Sequence, residues 1–124
     1  MKTKRPVYLN LFQFKFPVTA IASILHRVSG VILFLALPFL LWALQLSLHS
    51  EKDFAQLQDV MLSPIVKFVV WGVLSALFYH LIAGLRHLLM DMHLFDGKQS
   101  GRFMAWGVIL ISVAFAVFLG VCIW

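Results

Sequence analysis

Three stretches of the chain contain no Lys, Arg, Asp or Glu: residues 28–48, 68–85 and 103–124. They run for 21, 18 and 22 residues. About 20 apolar residues in a helix cross the hydrocarbon core of a bilayer. The pattern therefore predicts an all-α membrane protein with three transmembrane helices, at about 20–48, 64–90 and 103–124 within a membrane unit spanning 17–124. Residues 1–16 are left as a polar and aromatic N-terminal segment on the cytoplasmic side. In it Phe12, Phe14 and Phe16 alternate with Gln13 and Lys15, which suits a strand-like stretch or an interfacial anchor equally well. The first apolar run is expected to be a span and not a signal peptide. It is too long, lacks a small-residue cleavage pattern and follows its charges at a distance.

Local signals place the ends of the helices. Pro17 suits the opening turn of the first. A helix from there to Leu48 has about 32 residues and a length of roughly 48 Å, against a hydrocarbon thickness of about 30 Å. Its first turns, with Ser23, His26 and Arg27, then stand at headgroup depth, and Pro38 falls mid-span, where a kink is expected. Residues 49–62 read as a short loop. Ser63-Pro64 reads as an N-cap followed by proline at the first helical position. The second helix is expected to end near Met92, with Arg86 and His87 in its last turns facing the negative end of the helix dipole. Asp96-Gly97-Lys98 signals a turn, with Ser100 a candidate cap for the third helix.

Composition supports the membrane reading: of 124 residues, 62% are hydrophobic and 12% charged, which no ordinary soluble domain matches. The single cysteine, Cys122, excludes an intrachain disulfide and a multi-cysteine metal site. The net charge is +5, and its placement is informative. Lys2, Lys4, Arg5, Lys15, Arg27, Arg86, Lys98 and Arg102 flank the spans on one side, and only Lys52 and Lys67 lie on the other. The positive-inside rule then puts the N-terminus in the cytoplasm and the C-terminus in the periplasm of a multi-pass bacterial inner-membrane protein. A nucleic-acid surface fits poorly, because the charges flank spans without aromatic interleaving.

Within the second run stands His80. An imidazole in hydrocarbon is costly and usually functional, and a neutral imidazole is a good iron ligand. Ala76, Ala83 and Gly84 lie at i−4, i+3 and i+4 from it and leave a notch on that face. Such residues serve close helix packing as readily as they clear space for a flat macrocycle, and a central histidine favours haem. On the first helix, Ser23 and Arg27 are i and i+4 and share a face. They could grip a quinone head. An interfacial arginine snorkelling to phosphates is the commoner arrangement on spacing alone. With Arg27 and Arg86 at equal depth, His26 and His80 differ by about five residues, roughly 7–8 Å. That disfavours one iron held between them and leaves His26 and Arg27 nearer the haem propionates.

Two motifs resemble a known family. Ser23-Ile24-Leu25-His26-Arg27-Val28-Ser29-Gly30 is similar to the S-x-x-H-R-x-[ST]-G signature of the cytochrome b membrane-anchor subunits of succinate dehydrogenase. His80-Leu81-Ile82-Ala83-Gly84-Leu85-Arg86-His87-Leu88-Leu89-Met90-Asp91 resembles their second signature, H-x-x-x-G-x-R-H-x-x-x-D. Arg5-Pro6-Val7 looks like the family's N-terminal motif, although Tyr8-Leu9-Asn10 departs from the usual Ser-Pro-His.

The resemblance implies a three-helix anchor in a haem-binding bundle completed by a second three-helix anchor subunit, in complex with an iron–sulfur subunit and a flavoprotein. It implies His80 as an axial ligand of haem b, the other ligand being a histidine of the second anchor. It further implies Ser23 and Arg27 at the ubiquinone site, His26 and Arg27 near the haem propionates, and Arg86, His87 and Asp91 shaping the cytoplasmic end. The chain has no flavin or dinucleotide motif and no cysteine cluster, so succinate oxidation falls to the partners. The competing readings are a fumarate reductase anchor using menaquinone, and a small structural or transport subunit without haem.

Overall fold

The computed structural model describes residues 15–124. The N-terminal reading, including the Arg5-Pro6-Val7 motif and Phe12 and Phe14, lies outside the described residues. Four helices follow in order: α1 (Val18–His49), α2 (Glu51–Met61), α3 (Pro64–Asp91) and α4 (Lys98–Ile123). Among the described residues, α1, α3 and α4 are long and apolar enough to cross a membrane, as the three charge-free runs require. Pro17 is the N-cap of α1, so the helix starts one residue later than expected, and Pro38 lies inside it. Ser63 and Pro64 take the expected N-cap and first-turn places, though the Ser63 hydroxyl makes no capping bond.

The long helices alternate in direction and each packs on the other two. Their core is made of small side chains: Ala22, Ala83, Ala105 and Val108 are buried, with Ser29, Gly101 and Ser112. Close backbone approach and interhelical hydrogen bonds drive association where lipid is as apolar as leucine. Three such bonds set the register. Tyr79 Oη donates to Ala22 O (2.8 Å) between α3 and α1. Trp71 Nε1 donates to Ala116 O (2.8 Å), and Arg86 to Gly101 O (3.4 Å), between α3 and α4. Phe78 and Phe115 stack at 3.9 Å across the same interface. Large apolar side chains such as Phe34 and Phe103 point outward, 75% and 80% exposed. That is the inverse of a soluble fold, and it suits lipid and neighbouring helices.

Residues 49–62 are not the expected loop. They hold α2, an 11-residue amphipathic helix. Ser50 is its N-cap: the hydroxyl accepts from Asp53 N (3.1 Å) and donates to the Asp53 carboxylate (2.9 Å). His49 Nδ1 donates to the same carboxylate at 2.6 Å. The signal was present as Ser50-x-x-Asp53 before Phe54, Leu57 and Met61 at helical spacing. The hydrogen bonds from His49 and Ser50 hold the half-buried Asp53 carboxyl below its ordinary value of 3.8. A lowered folded-state value means that this cap contributes above the unfolded value and is lost as pH falls through the lowered one. Amide protection in α2 is therefore expected to hold from neutral pH down to about 4 and to drop below it. Asp53→Asn is expected to remove that step in hydrogen exchange.

Two other local expectations change. Gly97, not Ser100, is the N-cap of α4; Ser100 Oγ instead donates to Phe95 O and Gly97 O. The turn before it is made by His93 and Phe95 at φ 58° and 62°, left-handed conformations that a side chain disfavours. Arg86 and His87 fall one turn before the end of α3, whose final turn holds no basic residue.

Candidate functional site

The N-terminal third of α1 runs beside the C-terminal third of α3, because the Tyr79–Ala22 bond and the Ala22 and Ala83 contact surfaces fix their register. Between them opens a cleft of about 780 Å³, lined by Ser23, His26, Arg27, His80, Gly84, His87 and Asp91, with leucines from α3. Six of the seven residues singled out from the sequence thus meet in one place. Arg86 does not. It turns away from the cleft, is 3% exposed and meets the first turns of α4 through Gly101 O. On a helix, residue 86 is about 100° from residue 87, and the side facing α4 receives it.

His80 lines the cleft and is half-buried. Its Nδ1 lies 3.0 Å from Ser29 Oγ and 3.2 Å from His26 O. Its Nε2 has no hydrogen-bond partner among the described residues and is not enclosed. The His26 ring stacks on the His80 ring with centroids 4.1 Å apart and planes within 10°. His87 is tilted against His26 at 5.1 Å. The two rings approach to 4.1 Å although His80 packs at Gly30 and His26 at Gly84, one helical turn away on each helix. Rings stacked this closely leave no gap for a planar macrocycle between them.

Gly84 does not leave an empty notch beside His80. A Cβ there would come within 3.4 Å of His26 Nε2, so its small size admits the His26 ring. Gly30 has the matching role on α1, since a Cβ there would lie 3.1 Å from His80 Cε1. Ser29, Gly30 and Tyr79 are the site residues whose roles were not read from the sequence. Ser29 and Gly30 close the first signature, which was the available signal. Tyr79 has none, because its partner is a backbone carbonyl on another helix.

At the open end, Ser23 is half-buried and Arg27 exposed. Neither they nor Asp91 has a hydrogen-bond or ion-pair partner among the described residues. The cleft thus combines a partner-free imidazole nitrogen at its base with a hydroxyl and an always-charged guanidinium at its mouth. An apolar-walled cleft with a few convergent polar groups has the form of a cofactor or small-molecule site.

The family model for the succinate dehydrogenase/fumarate reductase transmembrane subunit matches residues 1–119. The chain belongs to this family. It is 42% identical over 125 residues to the succinate dehydrogenase cytochrome b556 subunit of Coxiella burnetii, with both chains covered completely. It is 33% identical to the corresponding subunit of Rickettsia felis, over 95% of this chain and 92% of that one. With that of Paracoccus denitrificans it shares 30%, over 88% and 87%. The chain is thus a membrane-anchoring subunit of the succinate dehydrogenase cytochrome b type, with three spans.

Proposed function

We propose that the chain binds haem b and ubiquinone at the α1–α3 cleft and helps pass electrons from an iron–sulfur partner to the quinone. His80 is the iron ligand this chain supplies. The observation that carries the reading is the His80 ring itself, with Nδ1 engaged by acceptors and Nε2 partner-free in a histidine-lined cleft. The donor chemistry fits a haem, since a neutral imidazole ligates through one nitrogen while the other is held by the protein. His26, Arg27 and His87 line the same cleft and suit the propionate end. Haem, when bound, offers a one-electron redox centre.

Ser23 and Arg27 bind the quinone head. They share one face of α1, line the cleft and have donors to spare. Arg27 stabilises negative charge that develops on a quinone oxygen during reduction, where preorganised donors act most strongly. Asp91 and His87 shape the cytoplasmic end. In this orientation the mouth of the cleft faces the cytoplasm and the α2 side the periplasm of the bacterial inner membrane, a reading supported by eight of ten positive charges on one side. The partners are a second three-helix anchor, which would supply a further histidine for the haem iron and cover apolar surface on this chain, together with an iron–sulfur subunit and a flavoprotein.

The test is isolation of the intact assembly through a tag on this chain. A b-type reduced-minus-oxidised spectrum is expected, with flavin, iron and ubiquinone in the same preparation. An assembly without cytochrome absorbance and without a flavin-bearing companion overturns the proposal. Menaquinone in place of ubiquinone reassigns the quinone.

A further inference from the structure

The hydrogen bonds around Ser29 determine which nitrogen of His80 carries the proton. Ser29 is 5% exposed and sits on α1 facing α3. Its Oγ lies 2.7 Å from His26 O. A carbonyl only accepts, so the single hydroxyl proton of Ser29 is committed there. Towards His80 Nδ1, 3.0 Å away, the Ser29 oxygen is then an acceptor. The second neighbour of that nitrogen, His26 O at 3.2 Å, is an acceptor as well. With two acceptors facing it, Nδ1 must hold the proton. A bare Nδ1 would set lone pairs against lone pairs.

We infer that Ser29 is a positioning residue for the haem: it holds His80 as the Nδ1–H tautomer, presents Nε2 as the ligating nitrogen, and lowers the haem's reduction potential by drawing on the Nδ1 proton. This rests on the reading of His80 as the iron ligand. The physical step is a known lever. A hydrogen bond donated by the far nitrogen of a ligating histidine makes the ring a stronger electron donor, which favours the ferric state. Second-shell hydrogen bonding is one of the few means a protein has to set that potential. The surroundings keep the ring from escaping the bond. His26 stacks on its face, and any side chain larger than glycine at position 30 would press on Cε1. His26 O alone, the longer of the two contacts, would orient the ring more weakly.

The experiment is a redox titration of the purified holo-complex carrying Ser29→Ala, Ser29→Thr or Ser29→Cys, followed by the b-type absorbance. Ser29→Ala is expected to keep the haem and raise its midpoint potential. At the wild-type midpoint the oxidised-to-reduced ratio then falls about threefold, a shift of about 30 mV at 59 mV per tenfold for one electron. Ser29→Thr keeps the hydroxyl and is expected to return the potential to the wild-type value. Ser29→Cys, with a weaker acceptor of similar shape, is expected to fall between. An unchanged or lowered potential in Ser29→Ala, or equal shifts in Ala and Thr, overturns the inference. If Ser29→Ala assembles without haem, the Cys and Thr variants decide it by the same ordering. The ligand reading is tested separately by His80→Ala. A b-type signal that persists in that variant defeats the ligand reading, whatever the Ser29 series gives.

Discussion

His80→Ala is expected to abolish the b-type reduced-minus-oxidised signal of the assembled complex while flavin and iron–sulfur content remain. Three facts make this the largest expected effect. The ring is the histidine of the cleft whose Nδ1 is committed to two acceptors and whose Nε2 is partner-free. Its removal leaves no nitrogen at that place. The neighbouring His26 ring is committed by stacking and by its fit against Gly84, so it does not substitute. A parallel His26→Ala variant is accordingly expected to keep the haem, with altered surroundings but not a lost ligand. The readout is the difference spectrum normalised to flavin. A full signal in His80→Ala, or a lost signal confined to His26→Ala, reverses the assignment of the two histidines.

The second large effect concerns Arg27. Arg27→Leu is expected to reduce succinate-to-quinone electron transfer by about 10²-fold or more, the usual consequence of deleting a preorganised donor at developing negative charge. Reduction of a soluble dye by the same preparation is expected to stay near the wild-type rate, because that path ends before the cleft. Arg27 is exposed at the cleft mouth and bonded to nothing else among the described residues, so its removal takes little from the fold. Arg27→Lys keeps a charge but loses the planar fork of donors and is expected to recover only part of the rate. Parallel loss of both activities in Arg27→Leu would assign the residue to assembly and not to the quinone.

Several parts of the fold were legible because each is written locally. A run without charges of span length is a transmembrane helix wherever its neighbours go, and Ser63-Pro64 marks a helix start by the geometry of proline alone. The amphipathic helix α2 was also written locally, in Ser50-x-x-Asp53 and the apolar spacing after it. Its length is far below that of a span, so hydropathy alone does not mark it. Ser100 does not cap α4 because Gly97, with no side chain to offer, takes the extended N-cap conformation.

The site was legible in membership and not in arrangement. Ser23, His26, Arg27, His80, His87 and Asp91 all line the cleft, since i, i+3, i+4 and i+7 spacings keep residues on one helical face. How closely their rings approach is not written in either segment. Depth on two different helices is set by where the helices cross. Here that is decided by Tyr79 reaching Ala22 O and by alanine against alanine, contacts that leave no mark in either segment alone.

From the amino-acid order alone came the three spans, the bias of positive charge to one side and the set of residues with chemistry to offer. All of these depend on properties of single segments: hydropathy, charge and helical period. Only the packed structure decided that His26 lies flat on His80, that Arg86 belongs to α4 and not to the cleft, and that Ser29 holds the far nitrogen of the imidazole. Those outcomes depend on the rotation and slide of one helix against another. Small residues permit that slide, and a few interhelical hydrogen bonds lock it.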